Sequence, residues 1–276
     1  MSATRPVSSV SSASAAGSAR VEIVVKLGGR TQADPALPAA LTALWTRTGG
    51  AMVIVHGGGD SISALQRMRG EEPVFVGGRR VTTAGALELV RMVLSGLANK
   101  GLVSALAGAG APAVGISGED GALLFATPID MATFGFAGTP TRVNTALPLL
   151  LLSGGFLPVI SPVALNDDRA VGGALNVNGD DAAAAIAGAL GATELFLLAD
   201  VPGVLDEAKQ RIPVLTLEAA HALVTSGVAG GGMAAKLDAS ASALHCGVGR
   251  VRIGDLAALS DARAGTHILT SLAGRP

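Results

Sequence analysis

The sequence predicts an α/β fold built on a parallel or mixed sheet, and three observations point there. From Val21 onward, short apolar runs alternate with longer helical patterns, which is how βαβ units read. Two of the apolar runs, 24–29 and 53–59, end in glycine turns of the kind that let backbone N–H groups approach an anion at the end of a buried strand. Hydrophobic residues make up 49% of the chain but aromatics only 3%, so the core must be packed by Val, Leu, Ile and Ala. At 276 residues the chain can bury a substantial core, and one compact unit is expected.

The elements follow in order. A strand over 22–26 leads to a helix over 36–46 and a second strand over 52–56. Helices are expected over 60–66, 84–97 and 99–107; in the second of these, Leu87, Val90, Leu94 and Leu97 form a one-sided apolar stripe. A strand over 113–116 precedes a polar, glycine-rich segment, 118–143, expected to be a small hairpin or excursion dividing an N-terminal from a C-terminal half. The second half predicts helices over 144–152, 179–190, 217–225 and 233–244, and strands over 156–160, 195–199 and 249–253. No fixed-period repeat is visible.

Composition narrows the function. A formal charge of −1 supplies no global attraction to nucleic acid or anionic lipid, so an anion site must be local and the partner is expected to be a small molecule. The apolar stretch 147–163 is broken by Pro148, Ser153, Gly154, Gly155, Pro158, Ser161 and Pro162, which argues against a membrane span. Cys246 stands alone, excluding an intrachain disulfide and a cysteine-rich metal site, and is read as a buried thiol. Residues 1–20 are rich in Ser and Ala, with Pro6 and Gly17, and show no apolar core of a secretion signal. They are expected to be a disordered tail on a cytoplasmic protein.

Candidate chemistry lies at strand ends and helix starts, where an open α/β sheet places its ligand. Lys26 precedes Gly28 and Gly29, and a second turn, Gly57-Gly58-Gly59, follows His56. Neither turn matches Gly-x-x-x-x-Gly-Lys-Ser/Thr or Gly-x-Gly-x-x-Gly, so any phosphate site has another architecture. Arg79 and Arg80 before a helix suit a carboxylate, which guanidinium grips with two parallel hydrogen bonds. Capping alone accounts for one of Asn176, Asn178, Asp180 and Asp181, but not for all four. Asp200-Val201-Pro202-Gly203 reads as a turn after a strand. Lys236, near a glycine-rich helix start, opposes the helix dipole unless an anion sits there.

The ordered set Lys26-Leu27-Gly28-Gly29, His56-Gly57-Gly58-Gly59, Arg80-Val81-Thr82, Asn99-Lys100, Asn176 to Asp180, Asp200 to Val204 and Gly231 to Lys236 resembles the amino acid kinase family. The resemblance covers about 21–270 and is closest to members acting on N-acetyl-L-glutamate. It implies an open, mainly parallel central sheet sandwiched by helices, the carbamate-kinase-like fold. An acceptor-binding lobe would occupy about 21–170 and an ATP-binding lobe about 171–276. It implies transfer of the γ-phosphoryl group of ATP to the γ-carboxylate of N-acetyl-L-glutamate in arginine biosynthesis.

By the same resemblance Lys26 and Lys236 would serve the transferring phosphoryl group and the leaving β-phosphate, with Asp180 orienting both. Backbone N–H groups of Gly28, Gly29, Gly57 and Gly58 would cradle the phosphoryl group. Gly57, Gly58, Arg80 and Asn176 would hold the amino-acid substrate. Asp200, Val201, Pro202, Gly203, Val204 and Leu205, with Val228, Ala229 and Gly230, would wrap the nucleotide, and Mg²⁺ would ride mainly on its phosphates. The chain departs from the family's usual residues at Asp60, where Pro is commoner, at Thr83, where Asp is usual, and at Gly179, where Ala is usual. Two further readings are carried: a kinase for carrier-protein-bound aminoadipate or glutamate in lysine biosynthesis, and a non-catalytic ligand sensor. Arginine-inhibited members carry an extra N-terminal helix, and because residues 1–20 lack a helical apolar stripe, an arginine-insensitive homodimer is expected.

Overall fold

The computed structural model describes residues 21–168 and 172–271. The expected tail, 1–20, lies outside them. The N-terminal half runs β1 (Ile23–Leu27), α1 (Leu37–Arg47), β2 (Met52–His56), α2 (Gly59–Met68), a short hairpin of β3 (Phe75–Val76) and β4 (Arg79–Arg80), α3 (Ala84–Val90), α4 (Asn99–Gly108) and β5 (Ala113–Ser117). It continues through β6 (Leu124–Pro128), α5 (Met131–Phe134), β7 (Ala137–Val143), α6 (Ala146–Ser153), β8 (Leu157–Ser161) and β9 (Val163–Asn166). After it come β10 (Ala174–Val177), α7 (Gly179–Ala189), β11 (Glu194–Leu198), β12 (Val214–Thr216), α8 (Leu217–Thr225), α9 (Gly231–His245), β13 (Arg250–Gly254) and β14 (Thr266–Leu269).

Eight strands form one sheet in the order β12-β14-β13-β11-β1-β2-β8-β5. All neighbouring pairs are parallel except β13 with β14. Strands from the first half of the chain fill one side of the sheet and strands from the second half the other, meeting where β1 pairs with β11. β1, β2, β8 and β11 are buried at every position, because helices cover both faces, so they read as unbroken apolar runs without alternation.

The pleat sorts β1 between two apolar layers. Ile23, Val25 and Leu27 pack with Leu41, Ile54 and Phe196, whereas Val24 packs with Val53, Ile186 and Leu195 on the other face. Lys26 is two residues from Val24 and therefore shares its face, toward α7. This alternation decides which helix meets the lysine.

Several elements differ from expectation. The excursion at 118–143 is a hairpin of β6 and β7, as read, but it closes with β9 and β10 into a four-stranded barrel that the sequence did not announce. β12 and β14, of three and four residues, were too short to stand out. The two helices expected over 84–107 are one continuous stretch, Ala84–Gly108, because a π-helical segment at Arg91–Ala98 carries the chain through. That stretch is long and apolar enough to cross a bilayer, but it buries Leu89, Val90, Val93, Leu94, Leu102 and Leu106 in the protein core. Cys246 is exposed at the end of α9, not buried as expected, because the helix stops there and the next apolar residue, Val248, takes the buried position.

At the end of the sheet remote from the glycine turns, buried Glu194 accepts hydrogen bonds from Arg250 Nε at 2.7 Å and Arg252 Nε at 2.8 Å. Arg252 lies over the Phe196 ring at 4.5 Å and donates to the carbonyls of Ala258 and Asp261. Removing one partner of a buried ion pair strands the other in low dielectric. Glu194→Ala is expected to lower stability in urea denaturation by about 3 kcal/mol.

Candidate active site

β1 and β2 lie side by side and point the same way, so their glycine turns emerge together where the strand order reverses about β1. The start of α7 and the β3–β4 hairpin close the space above them. The result is a cavity of about 220 Å³, lined among others by Lys26, Gly29, Gly57, Gly58, Phe75, Arg79, Arg80, Asn176, Asn178 and Asp180.

Asp180 is its electrostatic centre. Asn178 caps α7 by accepting from the Asp180 backbone N–H at 2.8 Å, which fixes where the helix begins. The Asp180 carboxylate, 4% exposed, meets Lys26 Nζ at 2.8 Å and Lys236 Nζ at 3.1 Å. Burial pushes its pKa upward, but Lys26 and Lys236 together outweigh that, and the carboxyl stays below its ordinary value. Lys236 is pulled below the ordinary lysine value by burial and then by nearby Lys26, with Asp180 opposing. It stands in the second turn of α9, somewhat further from the helix start than its sequence context suggested.

Across the cavity Arg80 is held rather than neutralised. Its Nη2 donates to Ser63 Oγ at 2.8 Å and to the Gly59 carbonyl at 2.9 Å, its Nη1 donates to Gln66 Oε1, and its guanidinium stacks on Phe75. No carboxylate lies within ion-pair distance of Arg80 among the described residues. Burial, then the nearby Arg67, lowers its pKa from the usual arginine value, yet a guanidinium keeps its charge. Asn176 donates to Thr82 Oγ1 at 2.9 Å, and Thr82 donates to the Arg80 carbonyl at 3.1 Å, so two expected substrate ligands share one buried chain of hydrogen bonds. Ser63, Gln66 and Phe75 were not singled out in the sequence, and Thr82 only as part of the Arg80-Val81-Thr82 motif. Ser63 and Gln66, one turn apart beside Ile62, were the available signal.

The four glycines divide. The Gly28 N–H donates to the Leu198 carbonyl at 3.1 Å and the Gly57 N–H to the Leu27 carbonyl at 3.2 Å, so both continue the sheet ladder and cannot cradle an anion as expected. Gly29 and Gly58 lie just outside the helices that follow them, and among the described residues their N–H groups meet no acceptor. The second turn is set by His56, whose Nδ1 lies 2.9 Å from the Gly57 carbonyl and whose Nε2 lies 3.1 Å from Asn99 Nδ2. The carbonyl can only accept and the amide nitrogen can only donate, so the ring is the neutral Nδ1–H tautomer. A Cβ on Gly115 would fall 1.9 Å from Asn99 Oδ1, so only glycine leaves room for that amide.

The stretches expected to wrap a nucleotide do not line this cavity. Asp200 pairs with Arg30 at 3.1 Å and borders a separate depression of about 370 Å³ with Thr31 and Asp255. Val201 and Pro202 form the turn after it; Gly203 has φ 155°, and Val204 is buried, its N–H bonded to Thr266 Oγ1 at 2.8 Å. Leu205 bridges to Arg211. Val228, Ala229 and Gly230 join α8 to α9, with Gly230 at the helix start below Lys236.

Each of the three sequence departures has a structural account. Thr83 caps α3 by accepting from the Ala86 N–H, a task Asp performs equally well. A Cβ on Gly179 would lie 3.1 Å from Lys26 Cε, so glycine leaves the lysine stem more room than alanine would. Asp60 sits in the first turn of α2, bordering a neighbouring cavity beside Gly29, where the helix dipole favours a negative charge.

Residues 22–255 match the model of the amino acid kinase family. The chain is 42% identical over 253 residues to an acetylglutamate kinase from Chloroflexus aggregans, covering 91% of this chain and 98% of that protein. Its fold superposes on smu.665 from Streptococcus mutans UA159 with a TM-score of 0.82 at 28% identity, over 90% and 98% of the two chains. Carbamate kinase from Giardia lamblia bound to AMP-PNP shares the fold, with a TM-score of 0.71 at 17% identity over 92% and 100%.

His56 carries a testable pH signature. Burial is the main cause that lowers its pKa from 6.5 to about 4; the Gly57 hydrogen bond opposes this, and Lys26 and Lys100 add to it. The unfolded chain therefore binds a proton as pH falls below 6.5 while the folded one does not, and stability declines until about pH 4. The decline attributable to His56 is on the order of 3 kcal/mol, read by denaturant titrations across that range, and a His56→Gln variant is expected to lack it.

Proposed function

This chain belongs to the amino acid kinase family, and we propose that it transfers the γ-phosphoryl group of ATP to the γ-carboxylate of N-acetyl-L-glutamate, yielding N-acetyl-L-glutamyl 5-phosphate in arginine biosynthesis. The observation that carries this reading is one buried carboxylate, Asp180, holding two ammonium groups at one end of a cavity whose other end presents Arg80 with no carboxylate at ion-pair distance among the described residues. Such a site suits two anions brought head to head. Relatives of high coverage bearing the name acetylglutamate kinase support the acceptor.

In this reading a carboxylate oxygen of the acceptor forms a bond to the γ-phosphorus as the bond to the β–γ bridging oxygen breaks, and ADP departs with the electron pair. An ionised carboxylate has no proton to give up, so Asp180 acts as an organiser of charge and not as a base. Lys26 and the N–H groups of Gly29 and Gly58 meet the transferring group, and Lys236 meets the leaving β-phosphate. Arg80 takes the α-carboxylate and Asn176 contributes a polar contact, while Ile62, Leu94 and Pro162 give the acetyl methyl an apolar wall. Asp200 to Leu205 and Val228 to Gly230 lie on the C-terminal side, where nucleotide would extend from the lysines.

Mg²⁺ bound with the nucleotide would supply charge neutralisation. Among the described residues Asp180 is the one carboxylate lining the cavity, and both its oxygens are committed to lysines, so the ion would be held mainly by phosphate oxygens. The proposed enzyme is a cytoplasmic homodimer; exposed Met92, Leu97 and Leu150 offer apolar surface for self-association. Sedimentation should give a dimer, and a hexamer would contradict this.

A coupled ADP-release assay with N-acetylglutamate, aminoadipate and glutamate as separate acceptors tests the function. Turnover is expected with N-acetylglutamate, and its absence would refute the reading. Lys26→Ala and Asp180→Ala should each lower kcat on the order of 10²- to 10³-fold. Arg80→Leu should act chiefly on the acceptor KM.

A further inference from the structure

The β3–β4 hairpin is a weakly supported roof. Each of its strands has two residues, it belongs neither to the eight-stranded sheet nor to the barrel, and Phe75 and Val76 are largely exposed. An isolated two-stranded ribbon is marginal in water, so this one needs ties to the body. Its turn, Gly77-Gly78, has φ of 55° and 77°, which suits a tight hairpin and brings no side chain to pack. The Val81 N–H to Val74 carbonyl bond lies within the hairpin itself, so on the N-terminal side the ties are the bonds of Arg80 to α2 and, just past β4, the backbone bonds of Thr82 with Phe134 and Phe136. Toward the C-terminal half the hairpin itself is tied by the ion pair from Arg79 Nη1 to Asp181 Oδ2 at 2.6 Å, and two residues past β4 Thr82 accepts from Asn176 on β10 at 2.9 Å.

Asp181 directly follows Asp180 at the start of α7, and Arg79 directly precedes Arg80. We propose that Arg79 and Asp181 are a positioning pair that latches the hairpin onto α7, so that Arg80 on the acceptor side is held in register with Asp180 on the phosphoryl side. Neither residue contacts the reacting atoms. The pair acts through its neighbours, and it rests on the kinase reading for its catalytic consequence.

The surroundings of Asp181 supply a second signature. Burial raises its pKa, Arg79 opposes that rise, and Asp180 on its own helix and Asp238 on α9 reinforce it, with Lys26 and Lys236 beyond Asp180. Without Arg79 the carboxyl titrates higher still. A charged, unpaired Asp181 then repels incoming phosphate, whereas its protonated form does not. The penalty of losing Arg79 therefore grows as pH rises through the Asp181 titration.

The experiment uses Arg79→Leu, Asp181→Asn and the double variant of the full chain. Each single variant is expected to raise the KM for N-acetylglutamate roughly tenfold with a smaller change in kcat, and the double variant to be no worse than the worse single, as coupled neighbours require. Relative to wild type, kcat/KM of Arg79→Leu should fall with rising pH, and adding Asp181→Asn should abolish that slope. Amide hydrogen exchange across residues 74–81 should quicken alike in both single variants, without any dependence on turnover. Unchanged KM in both singles, losses that add in the double, or unaltered exchange at 74–81 would each overturn the latch. If wild type turns over none of the acceptors, the kinase reading fails, while the exchange measurement still decides the latch.

Discussion

One carboxylate keeps two lysines from different parts of the chain in the same small space. Lys26 rides on β1 and Lys236 on α9, and without Asp180 between them two ammonium groups would face each other in a poorly solvated interior. Asp180 stays ionised against its own burial because both lysines and the positive end of α7 favour the charged form. Each ion needs the other two. The position of α7, the cap at Asn178 and the missing side chain at Gly179 are conditions for that triad to fit.

The Arg80 end of the cavity obeys the opposite logic. Arg80 is surrounded by neutral acceptors, a hydroxyl, an amide and a carbonyl, which fix its orientation and leave its charge available. A carboxylate partner built into the protein would have competed with the ligand. The two ends of the cavity thus differ in how much of their charge is spent internally, and in the proposed reaction this asymmetry would separate a phosphoryl-handling end from an anchoring end.

Much of this was legible in the sequence because it depends on strand ends. Lys26, the glycine turns and Asp180 follow buried apolar runs whose length and punctuation are readable, and the period of the pleat puts Lys26 on the α7 face. The barrel was not legible. Its strands are partly polar and pair over long separations, so no local period marks them. Nor could the sequence show that Gly28 and Gly57 spend their N–H groups on the sheet ladder while Gly29 and Gly58 do not. That distinction turns on strand register, which a run of glycines leaves unspecified. The support of Arg80 by Ser63 and Gln66 was hidden for a related reason: polar residues on a helix read as solvent-facing until the hairpin is folded over them.

The cavity is lined by Lys26, Arg79, Arg80 and Asp180, with Lys236 meeting Asp180 beside it, while the whole chain carries −1. Its positive character is therefore a contact property with no long-range field behind it. Beyond the screening distance, about 8 Å in physiological salt, an approaching polyanion meets a nearly neutral body. Encounter is left to unassisted diffusion, and discrimination begins only once the ligand is inside the mouth. In the proposed reaction, selectivity for anions is thus a matter of residence, set by how long the lysines and Arg80 hold what has entered, and not of attraction from afar.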